Sequence, residues 1–164
     1  MLLLLVIALL PCPGPANDVL PEYDVKAAFL FNIAKYTTWP EESFPDESSP
    51  ITIGVLGKDP FGSSLDRIVQ NRRIENRRVI VRRGTSPSDF KGAHIVFIAG
   101  SDRDRIAAIC AALEEMHIVS VADSPVVQRV ATVGFLIEKR RVSFVVNLAA
   151  ADRAHVRFSS KLLK

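Results

Sequence analysis

Residues 51–62 read ITIGVLGKDPFG, and this stretch decides the fold class of the chain. Its first half is an apolar run of six residues, which is typical of a β-strand buried on both faces. A turn containing Gly57 and Gly62 follows, and residues 63–70 then have the spacing of a helix. A strand, a turn and a helix in this order predict a parallel α/β unit.

Further strands and helices continue this pattern towards the C-terminus. The apolar runs HIVFIA and IVSVA, at residues 94–99 and 118–122, flank a helical pattern at residues 102–116. Residues 133–138 and 142–147 are two more strand-like runs, and the basic connection between them is short enough for a hairpin. The sequence therefore predicts an α/β fold, a three-layer sandwich with a mostly parallel central sheet and a C-terminal antiparallel hairpin.

A buried helix is predicted ahead of the first strand. Residues 22–38 read EYDVKAAFLFNIAKYTT, with apolar side chains over a wide arc at helical spacing. An arc of this width predicts a helix that is buried on most of its circumference. The Trp39-Pro40 pair is predicted to end the helix, because proline disfavours the helical conformation of the residue before it.

The composition is that of one globular domain. The chain has 164 residues, of which 48% are hydrophobic and 24% are charged, and these fractions exclude disordered and collagen-like chains. The net charge of +3, from 21 basic and 18 acidic residues, is smaller than expected for a broad nucleic-acid-binding face. We therefore predict no nucleic-acid partner. With only 2 cysteines, a small fold held together by disulfides is also excluded.

The N-terminus has the features of an export signal. Residues 1–10, MLLLLVIALL, form an apolar run shorter than the roughly 20 residues needed to span a bilayer. Together with the proline-rich residues 11–16, the run predicts a signal peptide over residues 1–16, cleavage near Ala16 and a periplasmic location, across the inner membrane of a Gram-negative bacterium. No basic residue precedes the run, so a buried N-terminal element and lipid attachment at Cys12 remain alternatives. Cleavage leaves Cys110 as the only cysteine, on the apolar face of its predicted helix.

No recognisable arrangement of catalytic or metal-binding residues is present in the sequence. Gly54, Gly57 and Gly62 follow a strand, but their spacing matches neither common nucleotide-binding motif. The three histidines are far apart and lack the acidic or cysteine neighbours of a metal site. No serine lies in the turn motif of hydrolytic nucleophiles. We therefore predict a non-catalytic protein with no cofactor and no metal.

A concentration of arginines lies in the middle of the chain. Seven of them occur between residues 67 and 83, namely Arg67, Arg72, Arg73, Arg77, Arg78, Arg82 and Arg83. Such a patch is able to bind phosphates or an acidic protein surface. The alternative interpretation is a solvated sheet edge whose charge prevents pairing with other strands. Interleaved aromatic residues of a nucleic-acid stacking surface are absent from this segment.

Four stretches of the chain carry a family resemblance. They are YDVKAAFLFNIAKYTTWP at residues 23–40, GVLGKDPFG at 54–62, AHIVFI at 93–98 and VSFVVNLAAADRAHVRFSSKLLK at 142–164. In this order they resemble the YfiR-like family of exported bacterial proteins, and the resemblance covers residues 22–164. It implies an α/β sandwich and a periplasmic repressor that binds a membrane-bound diguanylate cyclase. Such a repressor lowers cyclic di-GMP output and thereby limits biofilm formation.

The resemblance also has a limit. Family members often carry cysteines at the start of the AHIVFI-like strand and before the hairpin. This chain has Ala93 at the first place and ATVGF, residues 131–135, at the second. Redox control through internal disulfides is therefore not expected. Other family-pattern residues are interpreted as holding the fold together, namely Tyr23, Phe29, Trp39, Asp59 and Asn147.

The resemblance implies a partner and a contact surface. The expected partner is the periplasmic domain of an inner-membrane diguanylate cyclase or sensor kinase, and a homodimer remains open. Our candidate contact residues are on the hairpin and in the arginine segment: Phe135, Ile137, Arg140 and Val142, with Arg77, Arg78 and Arg82. Ordinary core packing for the apolar residues and a solvated surface for the arginines are the alternatives.

A different function is also compatible with the sequence. A parallel sheet commonly binds ligands at the carboxyl ends of its strands. The alternative to a regulator is therefore a periplasmic small-molecule-binding protein, with a pocket lined by residues 57–62 and 100–102 at those strand ends.

Overall fold

The computed structural model describes residues 22–100, 103–123 and 130–163. The predicted signal peptide and Cys12 lie outside the described residues. The helices are α1 (Glu22–Lys35), α2 (Ser64–Val69), α3 (Arg103–Glu115) and α4 (Leu148–Arg153), with short 3-10 helices at Glu41–Ser43 and Pro87–Phe90. The strands are β1 (Thr37–Thr38), β2 (Ile51–Leu56), β3 (Arg73–Ile74), β4 (Arg77–Gly84), β5 (Ile95–Ile98), β6 (Val119–Ala122), β7 (Val133–Glu138), β8 (Arg141–Val146) and β9 (Arg157–Phe158).

The central sheet has seven strands in the order β3-β4-β2-β5-β6-β7-β8. The neighbours from β4 to β7 are parallel, and the strands at both ends, β3 and β8, are antiparallel to their neighbours. A separate antiparallel pair is formed by β1 and β9. The predicted mostly parallel sheet with a C-terminal hairpin is thereby confirmed.

Helices cover both faces of the central sheet. Along β5, Ile95 and Phe97 pack in the cluster that contains α1 and α2, whereas Val96 and Ile98 pack in the cluster that contains α3. This alternation follows from the pleat of a strand, which directs successive side chains to opposite faces. Both faces of β5 are fully buried, as expected of a central parallel strand, and the predicted three-layer sandwich is confirmed.

Gly54 of β2 allows the 3-10 helix that carries Phe90 to pack closely against the central sheet. A Cβ atom added at this position would lie 2.5 Å from Cδ1 of Phe90 and 2.8 Å from Cγ2 of Val96. The ring of Phe90, which is fully buried, therefore occupies the space that a side chain on β2 would need. The glycine that interrupts the apolar run is a packing requirement of the α/β core.

The first helix is shorter than predicted. We expected helix over residues 22–38, but α1 ends at Lys35, and Thr37–Thr38 forms β1. Thr37 pairs with Phe158 of β9, and its hydroxyl donates to the carbonyl oxygen of Ile33 at 2.6 Å. A strand partner more than a hundred residues away therefore sets the conformation of these β-branched residues, against the helical spacing.

The arginine-rich segment also contains an element that its pattern did not predict. β3 and β4 form a hairpin whose turn includes Glu75 at a φ of 53°. β4 extends over Arg77–Gly84, so most of the arginines of this segment lie on strands. We call β4 the arginine strand.

Within the described ranges, no helix combines the length and the apolarity that a membrane crossing requires.

Candidate interaction surface

A tight turn at Lys139 and Arg140 joins β7 to β8. Their φ angles are 48° and 65°, and the register pairs Glu138 directly with Arg141. Positive φ at both central residues is the geometry of the hairpin turn whose twist matches that of the strands. Because neither residue is glycine, the positive φ angles strain the backbone of the turn. The turn also exposes two cationic side chains at the end of the sheet.

β8 is the last strand of the central sheet, and its outer side has no neighbouring strand in the described part of the chain. The N–H of Asn147 donates to the carbonyl oxygen of Thr132 at 2.9 Å. Hydrogen-bonded and non-hydrogen-bonded pairs alternate along an antiparallel ladder. Since Asn147 occupies a hydrogen-bonded position, the alternate residues Val145 and Ser143 do so as well. The residues between them, Val142, Phe144 and Val146, therefore direct their backbone N–H and C=O groups away from β7. We call this row of outward groups the β8 edge.

The side chains of Val142, Phe144 and Val146 are only partly buried. They pack at the margin of the core that contains α1, and the rings of Phe29 and Phe144 meet edge to face at a centroid distance of 5.3 Å. A cavity of about 480 Å³ opens here, between Phe29, the strand β8, and the leucines at positions 148, 162 and 163. We call this cavity the apolar groove.

Three large apolar side chains are exposed in the described residues, and all three are near this edge. Ile137 is 53% exposed, Leu148 is 58% exposed and Leu163 is 50% exposed. Leu148 and Leu163 line the apolar groove, and Ile137 is paired with Val142 in the ladder. Large apolar side chains that cluster on a surface generally mark a binding site. The candidate interaction surface is therefore the β8 edge together with the apolar groove.

The predicted hairpin residues divide into two groups. Ile137, Arg140 and Val142 reach the surface, and the structure brings them together on one hairpin. Phe135 is 1% exposed and packs between the rings of Phe29 and Phe97, with centroid distances of 6.2 and 6.3 Å. It presents no surface to a partner, because Phe29 of α1 and Phe97 of β5 pack against its ring. Phe135 is therefore a core residue, and its expected contact role is not retained.

The arginine strand is far from the hairpin. β4 and β8 are five inter-strand spacings apart in the sheet, which corresponds to about 24 Å. The guanidinium of Arg77 lies 4.0 Å from the ring centre of Phe44 and donates to the carbonyl oxygens of Asp46 and Ser49 at 2.8 Å each. Arg82 donates to the carbonyl oxygen of Lys91 at 2.9 Å.

Arg78 is exposed, and Arg83 is paired within the chain. Arg83 holds Asp59 and Asp66, at 2.7 and 2.6 Å, and these hydrogen bonds hold its pKa above the ordinary value. Asp59 also accepts from the N–H of Phe61 at 2.7 Å, so the Gly57–Gly62 turn is a locked structural element. The structure does not combine the arginines and the hairpin into one surface.

His94 is a structural residue. It is 2% exposed, its Nδ1 accepts from the N–H of Thr52 at 3.1 Å, and its Nε2 lies 3.2 Å from the carbonyl oxygen of Ser43. Accepting at Nδ1 requires the proton to be on Nε2, which then donates to Ser43. Burial lowers the pKa of His94 to about 4, so the ring is neutral at ordinary pH. Its stacking on Phe44, with ring centroids 4.5 Å apart, joins the loop after β1 to the sheet.

The other two histidines meet each other. His117 and His155 follow α3 and α4, and their ring centroids are 5.1 Å apart. Nδ1 of His117 lies 3.1 Å from the carbonyl oxygen of Ala154. Over the described ranges, no group of three or more histidine, cysteine or carboxylate side chains is arranged to hold a metal ion.

A buried charge cluster surrounds Lys26, and the sequence pattern did not predict it. Lys26 of α1 is 0% exposed, and its ammonium contacts the carboxylates of Glu22 and Asp123, the latter at 2.5 Å. Burial alone lowers the pKa of Lys26, but the hydrogen bonds to both carboxylates outweigh it and hold the pKa above the ordinary value. The four-residue spacing of Glu22 and Lys26 was the only signal in the sequence, because Asp123 lies 97 residues away.

Two cavities lie at the carboxyl ends of the parallel strands. One, of about 290 Å³, is lined by residues that include Tyr23, Lys58 and Asp123. The other, of about 320 Å³, lies towards α3, and the two share Lys58, Ala99 and Gly100. β4 and β5 lie on opposite sides of β2, so this is the switch point where α/β sheets bind ligands. Residues 101 and 102, which the alternative function also includes, lie outside the described residues.

The comparisons with known proteins decide the family. A family model described as YfiR/HmsC-like matches residues 23–164. The chain belongs to the YfiR/HmsC-like family. The match covers every described element apart from the first residue of α1, and it confirms the resemblance found in the sequence. No match is found among the curated proteins.

Membership of the YfiR/HmsC-like family gives a general class of function. The family is regulatory rather than catalytic, and it is periplasmic. This member has a cysteine, Cys110, that is 1% exposed. Burial raises the pKa of its thiol to about 11, so the reactive thiolate is not formed at ordinary pH. Ala93 and Ala131 are both buried as well.

Proposed function

We propose that this YfiR/HmsC-like protein is an exported, non-catalytic regulator. It binds the periplasmic domain of an inner-membrane signalling protein, a diguanylate cyclase or a sensor kinase, and represses it. Cyclic di-GMP output is the quantity that such binding modulates. The observation that supports this function is the cluster of exposed apolar side chains beside an open sheet edge, on a member of a regulatory family.

Repression follows from a difference in affinity. A regulator shifts its receptor only as far as it prefers the inactive conformation over the active one. A change from mostly active to mostly inactive requires a preference of about 5.5 kcal/mol. Interfaces obtain most of such an energy from a few well-buried anchors. In the part of the chain that the structure describes, Ile137, Leu148 and Leu163 are the large apolar side chains exposed to act as anchors.

The hairpin is the proposed contact surface, with Ile137, Arg140 and Val142 from the sequence prediction. Ile137 and Arg140 are exposed, and Val142 contributes to the apolar groove. Arg77 and Arg82 use their guanidinium groups to hold loops of their own chain. Of the three arginines on β4 that were candidates, Arg78 alone is exposed, and we assign it to a solvated edge.

Affinity capture from membranes tests this function. The chain is exported with an affinity tag, captured from detergent-solubilised inner membranes, and compared with the variants Ile137→Asp and Arg78→Asp. We expect the unchanged chain and Arg78→Asp to retain an inner-membrane cyclase or kinase. Ile137→Asp should lose it, because a charge at an anchor position must be desolvated on binding. Failure of the unchanged chain to retain any such receptor would contradict the proposal.

A small-molecule-binding protein is the second candidate function. It is favoured by the two cavities at the switch point, which share Lys58, Ala99 and Gly100. A ligand present at 100 times its dissociation constant adds about 2.7 kcal/mol of stability. Thermal denaturation with panels of metabolites tests this function. The shift should vanish in Lys58→Met if the ligand binds at the switch point. A strong shift together with no captured receptor would favour this function over the first.

A further inference from the structure

We propose that the β8 edge binds an extended, acidic segment of the partner as an eighth strand of the central sheet. This inference rests on the proposed function, since the partner is the periplasmic domain of the membrane signalling protein. Strand addition supplies affinity through main-chain hydrogen bonds and specificity through pockets for alternate side chains. The β8 edge provides the main-chain hydrogen-bonding groups, and the apolar groove provides a pocket for side chains.

Among the described strands, none pairs with the outer side of β8, which leaves its backbone able to form a second ladder. Val142, Phe144 and Val146 present their N–H and C=O groups outwards, because the bond between Asn147 and Thr132 fixes the alternation. The three residues are adjacent outward positions of one continuous strand, Arg141–Val146. An extended segment of about five residues spans them. Such a segment would satisfy groups that otherwise rely on water.

The two margins of the sheet are protected differently. On the β4 side, two pairs of arginines flank the apolar residues 79–81, and the short strand β3 covers part of the margin. Exposed charges and short edge strands are devices that keep edges from pairing with other chains. β8 carries a charged residue only at its first position, Arg141, and contains no proline. An edge without these devices indicates that a partner strand covers it.

The apolar groove defines the side chains that the added strand carries. Val142, Phe144 and Val146 share the face on which α1 packs, and the groove continues this face beyond β8. Side chains that lie opposite them in an added strand project onto the same face. The partner segment should therefore carry apolar residues at alternate positions, which enter the groove beside Leu148 and Leu163.

Charge at both ends of the β8 edge favours an acidic segment. Lys139, Arg140 and Arg141 are exposed at the turn, with Glu138 as their only acidic neighbour on the hairpin. At the other end, Lys161 is exposed and directly precedes the two leucines that line the groove. Opposite charges steer a partner onto its site and fix its register.

The same charges disfavour a second copy of this chain as the occupant. A parallel pair of β8 strands would place two basic turns side by side. An antiparallel pair would place each basic turn beside Lys161 of the other copy. Like charges that face each other across an interface are destabilising. The occupant is therefore a different chain with complementary charge.

Amide hydrogen exchange tests strand addition without needing the receptor. The probe is a short synthetic peptide with valine at alternate positions and glutamate at both ends. The control peptide has lysine in place of glutamate. The chain is expressed in full and purified from the periplasm. With the acidic probe, the amides of Val142, Phe144 and Val146 should exchange about tenfold more slowly. The amides of Ser143 and Val145, already bonded to β7, should change little.

Three results would overturn the inference. One is no protection by the acidic probe, or protection at other amides only. The second is equal protection by the lysine control. The third is protection of the three outward amides in the peptide-free chain that disappears on dilution, which would identify a second copy as the occupant.

Two variants of Val142 test strand addition with the captured receptor. Val142→Pro removes the outward N–H, and Val142→Ala removes a similar part of the side chain but keeps the N–H. Proline is tolerated on edge strands where the N–H faces solvent, and circular dichroism verifies the fold. Receptor affinity should fall about tenfold further in Val142→Pro than in Val142→Ala. Equal affinities would overturn strand addition, whereas the proposed function would stand as long as the receptor is captured.

Discussion

The N–H of Asn147 donates to the carbonyl oxygen of Thr132 at 2.9 Å, one position beyond the last residue pair of the β7–β8 ladder. This bond continues the hydrogen-bonded positions of the ladder and so identifies which residues of β8 face outwards. The side chain of Asn147 also accepts from the N–H of Ala150 at 3.1 Å, and thereby begins α4. One residue therefore ends the edge strand and positions Leu148 in the apolar groove.

Leu148 should matter for binding and little for stability. Its side chain is 58% exposed, so Leu148→Gln should change the free energy of unfolding by only about 0.5 kcal/mol. Affinity for the captured receptor should fall about tenfold, as for an anchor that is buried on binding. Ala149→Gln, on the next exposed residue of α4, is the matched control and should bind normally. Equal binding by the two variants would remove Leu148 from the interface.

The hairpin turn should become more stable with glycine at its second position. Arg140 has a φ of 65°, which costs an ordinary residue about 1–2 kcal/mol. Glycine relieves this cost and loses about 0.5–1 kcal/mol through the flexibility of the unfolded chain. Arg140→Gly should therefore raise the free energy of unfolding by about 0.5–1 kcal/mol, measured by urea denaturation. The same variant should bind the acidic peptide more weakly, because it lacks one cation.

His94 should make the protein acid-sensitive. Its pKa is about 4 in the folded chain and about 6.5 when unfolded, so between these values the unfolded state binds more protons. Stability should therefore fall as the pH decreases from 6.5 to 4, by about 3 kcal/mol in total. Urea denaturation across this range measures the effect. In His94→Gln this component of the pH dependence should be absent; an unchanged profile would assign the acid sensitivity to other groups.

The sequence predicted the elements that are set by neighbouring residues, and it failed where a partner remote in the sequence sets the structure. The apolar runs of β2, β5 and β6 are local signals, and they predicted the parallel sheet correctly. Thr37 was misassigned to a helix because its partner, Phe158, is remote in the sequence. Phe135 and Ile137 have the same strand pattern, and only the position of α1 decides that one is buried and the other exposed. Site residues of this kind need tertiary structure.

The cluster around Lys26 should stabilise the fold as a unit. Lys26→Met leaves the carboxylates of Glu22 and Asp123 without their shared cation and should lower the free energy of unfolding by about 1–3 kcal/mol. The loss is smaller than for a fully buried ion pair because both carboxylates are partly exposed. Adding Asp123→Asn to Lys26→Met should recover part of this loss, because the uncompensated charge is removed. Since the pKa of Lys26 is raised on folding, its contribution should persist below pH 10.5 and disappear as the pH rises through the folded value. Thermal unfolding of Lys26→Met, Asp123→Asn and the double variant measures the coupling.

Site-specific photo-crosslinking in living cells tests the central claim most directly. A photoreactive amino acid is placed at Ile137 on the hairpin or at Arg78 on the arginine strand, both of which are exposed. We expect the probe at position 137 to capture an inner-membrane cyclase or kinase through its periplasmic domain, and the probe at position 78 not to capture it. Capture of the receptor from position 78 alone, or from neither position, would contradict the account.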